Sequence, residues 1–346
     1  MNYIGSKYTI LDFITQSILQ TLFDSGEIRQ PNQMIFGDLM SGTGVIGARF
    51  KELGYNVISN DIQYYGYVLA KHYIENGDIP DIDRRNQLIE MLNAAESAEG
   101  FIYNNYSYEG TEGQQFRRMY FSADNAKKCD GIRTEIENLR NVGRITDGEY
   151  FFLLASLINS IDKYANTASV YGAFLKTMKK TALKPLRLSP VASVENRING
   201  RVYNCNVNAL IRQVKGDILY LDPPYNQRQY CTNYHLLETI ALYDNPVIYG
   251  KTGLREYSAK KSDFCIKSKA ATALADVIEN AQFKYIFLSY NNEGLLSYET
   301  IENILKEYGN VNVFIKEHKR FKADNTRNVK ATCTNEYLFC LIKDNL

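Results

Sequence analysis

The sequence lacks the patterns that mark several common classes of protein. Its six cysteines form no C-x-x-C pair and are scattered along the chain. That distribution argues against a zinc site or a disulfide framework and fits a reducing cytoplasm better, so no metal is predicted. No long apolar run is present, and neither a secretory signal nor a membrane span is predicted.

Charge of one sign is not in excess either. The 40 lysines and arginines nearly balance the 39 aspartates and glutamates, so a surface that binds a polyanion can arise only where charges are segregated along the chain. No internal repeat or low-complexity linker is visible. Hydrophobic residues make up 45% of the 346 positions, which is ample for a packed core in one large domain or in a domain carrying an insertion.

The most informative stretch is Tyr220–Tyr225, which has the sequence YLDPPY. Its apolar run ends in Asp222 and two prolines, which cannot continue a strand because they lack a backbone N–H and have a fixed φ. Asp222 is therefore predicted to lie where a parallel strand meets its loop, the place where open α/β sheets bind ligands. A carboxylate there can accept hydrogen bonds from an amine, and Tyr225 offers a face on which a planar base can stack. The four residues DPPY alone are equally typical of a turn with a buried tyrosine.

A second candidate site follows an earlier predicted strand. Asp38 stands at the end of that strand, and Gly42 and Gly44 form a turn that leads into a predicted helix. Glycines at such a turn let the backbone approach a nucleotide-like ligand, while an acid there repels a pyrophosphate and attracts a cationic ligand. Asp61 ends the next predicted strand, a position from which a carboxylate accepts hydrogen bonds from ribose hydroxyls.

The alternation of strands and helices predicts an α/β fold with a Rossmann-like core. The alternation covers residues 1–76 and resumes over 193–346. Near the end, residues 311–316 and 337–342 form two predicted strands with no helix between them, which indicates an antiparallel hairpin with a basic connecting loop. We therefore expect a mostly parallel sheet closed by a C-terminal antiparallel hairpin.

Residues 77–192 break the alternation, and we interpret them as an inserted, largely helical region. Within it, residues 101–121 are rich in tyrosine, asparagine, glycine and arginine, a composition typical of a recognition surface and equally of an ordinary polar insertion. A basic stretch that includes Lys179 and Lys180 follows. Such a cluster suits contacts with phosphates, although a solvated basic face has the same composition.

Taken together, these segments resemble the Dam-type adenine-specific DNA methyltransferases, particularly the class α enzymes that accompany type II restriction enzymes. The matching positions are Tyr3 and Lys7 near the N-terminus, the cofactor loop Asp38–Gly44, Asp61 after the second strand, and the catalytic signature Asp222–Tyr225. These ordered motifs span most of the chain. The resemblance implies a methyltransferase core in residues 1–76 and 193–346, with target recognition in the inserted residues 77–192.

The resemblance also implies the chemistry. S-adenosylmethionine is the expected cofactor, and the expected reaction is direct methylation of the exocyclic N6 amine of an adenine flipped out of duplex DNA. The implied catalytic residues are Asp222, Pro223, Pro224 and Tyr225. The implied cofactor-binding residues are Tyr3, Lys7, Asp38, Ser41, Gly42, Gly44, Asp61, Asn208 and Asp222. Asn208 departs from the family, which often has an acid at this position, but its amide oxygen can still accept a hydrogen bond.

The expected partner is double-stranded DNA, and no membrane partner is expected. The residues predicted to contact nucleic acid are Lys179, Lys180, Arg228, Lys319 and Arg320. A cognate restriction endonuclease that acts on the same site is a further expected partner, with no contact required. The alternatives that remain are methylation of adenine in RNA, methylation of the N4 amine of cytosine, and a catalytically silent relative that only binds nucleic acid.

Overall fold

The computed structural model describes residues 5–76, 81–196, 198, 200–319 and 333–344, apart from the side chains at positions 318, 319 and 333. Its strands are β1 (Ile35–Asp38), β2 (Asn56–Asn60), β3 (Gly200–Tyr203), β4 (Lys215–Leu221), β5 (Ile248–Tyr249), β6 (Leu254–Arg255), β7 (Gln282–Asn291), β8 (Gly309–Lys319) and β9 (Cys333–Lys343). Its α-helices are α1 (Leu11–Asp24), α2 (Val45–Glu52), α3 (Tyr64–Tyr73), α4 (Ile82–Ala94), α5 (Phe101–Tyr106), α6 (Ala123–Asn141), α7 (Asp147–Tyr164), α8 (Val207–Leu210), α9 (Tyr230–Asn233), α10 (His235–Leu242), α11 (Ala270–Asn280) and α12 (Tyr298–Lys306).

The chain divides into two compact units. The first, which we call the sheet unit, consists of Ser6–Ile62, Val194–Gln229 and Lys260–Leu346. The second, the helical unit, has Gln63–Ser193 and Tyr230–Ala259 as its main segments. The inserted region predicted at residues 77–192 lies within the helical unit, which in addition takes in α3, α9, α10 and the β5–β6 hairpin.

The sheet unit is built on a seven-stranded sheet with the order β3-β2-β1-β4-β7-β9-β8. The first five strands in this order are parallel to one another, whereas β9 is antiparallel to both β7 and β8. The predicted mostly parallel sheet with a C-terminal antiparallel pair is therefore confirmed. The chain first extends the sheet from β1 through β2 to β3 and then returns to place β4 on the other side of β1. Such a reversal opens a crevice at the carboxyl ends of the two strands.

The central strands form because their side chains are apolar on both faces, as expected for parallel strands covered on both sides by helices. In β4 the run from Ile218 to Leu221 is buried, and in β7 the run from Tyr285 to Tyr290 is buried. On one side the sheet shares a core with α11, α12 and α8, to which Leu274, Ile278 and Ile301 contribute. Pro223 and Pro224 then end β4, so Asp222 lies at the carboxyl end of this strand, along the side of the sheet where the parallel strands end.

The helical unit has a core of its own, centred on α7 and extended by α3, α6 and α10. Along α7 almost every side chain between Phe151 and Ile161 is buried. The helix begins at Asp147, directly after Thr146, because Thr146 and Glu149 form a reciprocal capping box at its N-terminus.

Two further observations concern the described part of the chain. None of its helices combines the length and the apolar character needed to cross a bilayer. Its histidine, cysteine, aspartate and glutamate side chains form no group of three or more that could hold a metal ion.

Candidate active site

The turn between β1 and α2 is shaped by two glycines with left-handed backbones. Gly42 has a φ of 52° and Gly44 a φ of 75°, values that side chains with a Cβ rarely adopt. The turn is closed by a bond from the Gly44 N–H to the Ser41 carbonyl, at 2.7 Å. The Gly42 N–H donates to Asp61 Oδ2 at 2.8 Å. Asp61 therefore joins the end of β2 to the glycine turn that follows β1.

Asp38, the last residue of β1, is almost completely buried beneath this turn. Its Oδ2 accepts the backbone N–H of Gly47 in the first turn of α2, at 2.9 Å. Burial is the main reason why the pKa of Asp38 is raised to about 7, and the nearby charges of Asp222 and Asp61 raise it further. The bond from Gly47 opposes this shift. The structure therefore brings three of the predicted carboxylates close enough to influence one another.

Asp222 follows β4, the strand next to β1, and forms a tight cluster with Lys7 and Tyr225. The Tyr225 hydroxyl donates to Asp222 Oδ1 at 2.6 Å, and Lys7 Nζ lies 3.3 Å from the same oxygen. Lys7 Nζ also donates to Tyr225 Oη at 2.6 Å and lies 4.6 Å from the centre of the tyrosine ring. Lys7 is only 5% exposed, so its ammonium group is held within the protein by these partners.

Two residues that sequence analysis did not select complete this cluster. Ser289 Oγ on β7 lies 3.1 Å from Tyr225 Oη, and Glu336 Oε2 on β9 lies 3.6 Å from Lys7 Nζ. Ser289 comes from β7, the neighbour of β4, and Glu336 from β9, the next strand along, which explains why both meet Asp222 at the same end of the sheet. The sequence offers one indication of a functional role for Ser289, because it is a polar residue in an apolar strand. It offers no such indication for Glu336, which stands just before a predicted strand.

The pKa of Asp222 is raised above the ordinary carboxyl value, chiefly by burial. Lys7 and the hydroxyl of Tyr225 act in the opposite direction, and the negative charge of Glu336 raises the pKa further. The Tyr225 ring packs against Tyr290, with their ring centres 4.7 Å apart. The carboxylate expected to accept a hydrogen bond from the target base and the tyrosine expected to stack on that base are thus hydrogen-bonded to each other.

Asn208, which takes the place of an expected acid, lies in the short helix α8 after β3. Its amide nitrogen donates to the Ala273 carbonyl at 2.9 Å and to Asp276 Oδ2 at 2.7 Å. These two acceptors fix the orientation of the amide, so its oxygen is the atom available to a ligand. A predicted role in recognising an adenine amine is compatible with that orientation.

The residues predicted to contact nucleic acid are placed in different surroundings. Lys179 is partly buried, and its Nζ donates to the Thr167 carbonyl at 3.1 Å, whereas Lys180 is exposed. Arg228 is exposed and follows the catalytic signature by three residues. Tyr3 and Arg320 lie outside the described residues, and so does the side chain of Lys319.

An acid-rich edge beside a glycine turn, at the point where the strand order reverses, is the arrangement of α/β proteins that bind a nucleotide-like ligand. The model of the D12 class of N6 adenine-specific DNA methyltransferases matches residues 3–304. The chain therefore belongs to this family of adenine-specific DNA methyltransferases, as the sequence motifs predict.

Several curated relatives agree with this assignment. The type II methyltransferase M.NlaIII of Neisseria lactamica is 46% identical over 345 residues, which cover 99% of both chains. M.CviAII of Paramecium bursaria Chlorella virus 1, also a type II methyltransferase, is 37% identical over 98% of this chain and 97% of its own. M.FokI of Planomicrobium okeanokoites is 41% identical over 99% of this chain, which spans 53% of that protein.

Proposed function

We propose that this protein methylates the N6 amine of adenine at a specific site in duplex DNA, with S-adenosylmethionine as the methyl donor. The observation that carries the proposal is the position of Asp222. This carboxylate follows β4 at the edge of the sheet where β1 delivers Asp38, within a family of adenine-specific DNA methyltransferases. The nearest alternatives, transfer to RNA adenine or to the N4 amine of cytosine, have no comparable support from the family.

The residues around the glycine turn suit the proposed cofactor. In the part of the chain that is described, the Ser41 hydroxyl is buried and has no hydrogen-bond partner, so it is available to a polar ligand. Asp61 follows β2 at the position suited to ribose hydroxyls, and the oxygen of Asn208 suits an adenine amine. When bound, S-adenosylmethionine supplies a methyl group attached to a positively charged sulfur.

The charges of the site favour a cationic ligand. Asp38, Asp61, Asp222 and Glu336 contribute carboxylates, of which Asp61 and Asp222 act on Asp38, and Glu336 acts on Asp222. Lys7 contributes an ammonium group between Asp222 and Glu336. A surplus of negative charge in a partly buried site attracts a cation strongly, because water screens the interaction less than it does at the surface. The pKa of Asp38, which burial chiefly raises and the neighbouring carboxylates raise further, is expected to fall when a cation binds.

We propose that Asp222 is the group that contacts the target adenine. The exocyclic amine of adenine is a poor nucleophile because its lone pair is delocalised into the ring. A carboxylate and the Pro223 carbonyl that accept hydrogen bonds from this amine favour a tetrahedral nitrogen and orient its lone pair. The Tyr225 hydroxyl donates to Asp222 Oδ1, and we propose that the amine of the base replaces it as a donor. The Tyr225 ring then becomes the stacking partner of the extruded base.

We assign recognition of the DNA to residues 77–192, and contacts with phosphates to Lys179, Lys180, Arg228, Lys319 and Arg320. Such contacts position a protein on the duplex without reading its sequence. The curated relatives are named as type II methyltransferases, so we further propose that the chain protects DNA in a cytoplasmic restriction-modification system. The proposed partner is an endonuclease that recognises the same site.

The test is to express the protein in cells without other adenine methylases and to sequence their DNA with detection of modified bases. We expect N6-methyladenine in a single short sequence context. Digestion of total DNA and RNA to nucleosides, followed by mass spectrometry, separates the alternatives. Methyl groups found only in RNA, or only on cytosine, would refute the proposed substrate, and a protein that binds S-adenosylmethionine without transferring it would refute the proposed activity.

A further inference from the structure

Glu336 lies near the start of β9, at the end of the sheet where the parallel strands have their carboxyl ends. In the register of β7 and β9 it lies opposite Asn291, two residues beyond Ser289, so three neighbouring strands deliver Asp222, Ser289 and Glu336 to the same edge. Lys7 lies between the two carboxylates, 3.3 Å from Asp222 Oδ1 and 3.6 Å from Glu336 Oε2. The side chain of Glu336 is 13% exposed, and the exposure of Asp222 is 18%, so this ion cluster is largely shielded from water.

The contact between Glu336 and Lys7 is electrostatic. At 3.6 Å it is longer than a hydrogen bond, and among the described residues Glu336 Oε2 has no hydrogen-bond partner. A buried carboxylate without a donor is costly to maintain. Glu336 therefore contributes little to the fold through hydrogen bonding at this oxygen, while its charge lies 3.6 Å from Lys7 Nζ and adds to the effect of burial in raising the pKa of Asp222.

We propose that Glu336 is a positioning residue for methyl transfer, which balances the charge of Lys7 so that the Asp222 carboxylate can act on the amine of the target base. This inference rests on the proposed function. The amine nitrogen forms its bond to the methyl group while the sulfur–methyl bond of the donor breaks, so the nitrogen gains positive charge until one of its protons leaves for water, and Asp222 stabilises that charge. An unbalanced ammonium group at Lys7 would oppose the same charge and would hold Asp222 in an ion pair. Glu336 leaves the ion pair of Lys7 with Asp222 in place, but its negative charge weakens both effects without touching the base.

The first test measures the pKa of Asp222 in the ligand-free protein by carbon-13 NMR, with its carboxyl signal assigned from Asp222→Asn. The titratable or charged groups that act on Asp222 are Lys7, Tyr225, Glu336, Tyr220 and Asp38. Glu336→Gln is expected to lower the pKa of Asp222, because it removes a negative neighbour. Lys7→Met is expected to raise it, because it removes the positive one. Unchanged values in both variants would overturn the proposal.

The second test is kinetic and uses a double-mutant cycle. At saturating DNA and S-adenosylmethionine, Glu336→Gln is expected to lower kcat about tenfold or more, the effect of one unbalanced charge in a partly buried site. In a plot of kcat against pH for Glu336→Gln, the acid limb should move to lower pH, because the pKa of Asp222 falls. In a Lys7→Met background, the same change should cost little further activity. Glu317→Gln is the matched control, since Glu317 is exposed on the neighbouring strand β8.

The outcomes separate this inference from the proposed function. A wild-type protein that forms no N6-methyladenine would refute the proposed function, while the NMR titration would still report on the charge balance. An active wild type with equal losses from Glu336→Gln in both backgrounds, and with an unmoved acid limb, would show that Glu336 acts on stability alone. Glu336→Asp keeps the charge and is expected to recover part of kcat, which covers the case in which the glutamine variant folds poorly.

Discussion

Asp38 ends β1 and Asp222 directly follows the neighbouring parallel strand β4, and the electrostatic link between them shows in the pKa of Asp38, which burial and then the charge of Asp222 raise to about 7. The two carboxylates serve different proposed ligands, one the methyl donor and the other the base. Each nevertheless lies within the electrostatic influence of the other. A cation that binds beside Asp38 should therefore also reduce the repulsion between the Asp38 and Asp222 carboxylates. We thus expect binding of the methyl donor to favour the ionised form of Asp222, which receives the target base.

We predict that Asp38→Asn stabilises the ligand-free protein at pH 8. The stability contributed by the protonated form of Asp38 is complete below the ordinary carboxyl pKa and is lost as pH rises through the folded pKa of about 7. A shift of about three units corresponds to at most about 4 kcal/mol in the free energy of unfolding, which asparagine would restore. Urea denaturation at pH 8 and pH 5 checks this. The gain should be smaller at pH 5, and an equal gain at both values would contradict the assignment.

We also predict that S-adenosylmethionine binds more weakly as pH falls below 7. A cationic donor requires Asp38 in its ionised form, so the dissociation constant should rise by up to about tenfold per pH unit below the pKa of about 7. Isothermal titration calorimetry in buffers with different ionisation enthalpies should detect release of a proton on binding at pH 6.5. Asp38→Asn should bind weakly with no such release, and a wild-type affinity that is independent of pH would count against the role of Asp38.

Asp222→Ala is predicted to abolish transfer while leaving the affinity for DNA nearly unchanged. The carboxylate acts on the amine, whereas phosphate contacts come from other residues. We expect a loss of at least about a thousandfold in single-turnover transfer of a labelled methyl group. Fluorescence anisotropy with a labelled duplex measures binding in parallel. Asp222→Asn keeps the shape of the side chain and should be almost as inactive, so substantial activity in either variant would remove Asp222 from its role.

Lys179 and Lys180 are predicted to differ in their effect on DNA binding. The Nζ of Lys179 is already bonded to the Thr167 carbonyl and desolvation lowers the pKa of this lysine, whereas Lys180 is exposed. Lys180→Ala should reduce the slope of log K against log salt by about one, the value for one lost phosphate contact. Lys179→Ala should reduce the slope by less, because the Nζ of Lys179 also donates to the Thr167 carbonyl, and it should in addition lower stability. Equal slopes for the wild type and Lys180→Ala would exclude Lys180 from the interface.

The ends of the strands and the C-terminal antiparallel pair could be predicted from the sequence, because local patterns along the chain determine them. Two prolines end β4 directly after Asp222, and Gly42 and Gly44 require a turn after β1. These are constraints on the backbone that a few adjacent residues impose by themselves. The position of Asp222 and Asp38 at the same edge then follows from the rule for parallel sheets.

The electrostatic cluster could not be predicted in the same way, because it depends on residues far apart in the chain. Lys7 and Tyr225 are separated by 218 positions. Glu336 reaches Lys7 only because β9 inserts between β7 and β8 in the antiparallel sense. Nor does the sequence reveal that the Tyr225 hydroxyl donates to Asp222, since an aromatic signature residue is equally compatible with a hydroxyl that does not contact the carboxylate.

Asp130 in the helical unit provides a prediction that is independent of catalysis. This buried carboxylate accepts the backbone N–H groups of Gly100, Ile102 and Tyr103 at the start of α5, and the hydroxyl of Tyr243 at 2.7 Å. Asp130→Asn turns an NH2 group toward at least one of these donors, so we expect a loss of about 2–3 kcal/mol in the free energy of unfolding. Tyr243→Phe removes a single donor and should cost about 1 kcal/mol. Chemical denaturation of both variants decides the matter. A smaller loss for Asp130→Asn than for Tyr243→Phe would mean that the carboxylate does not hold the start of α5.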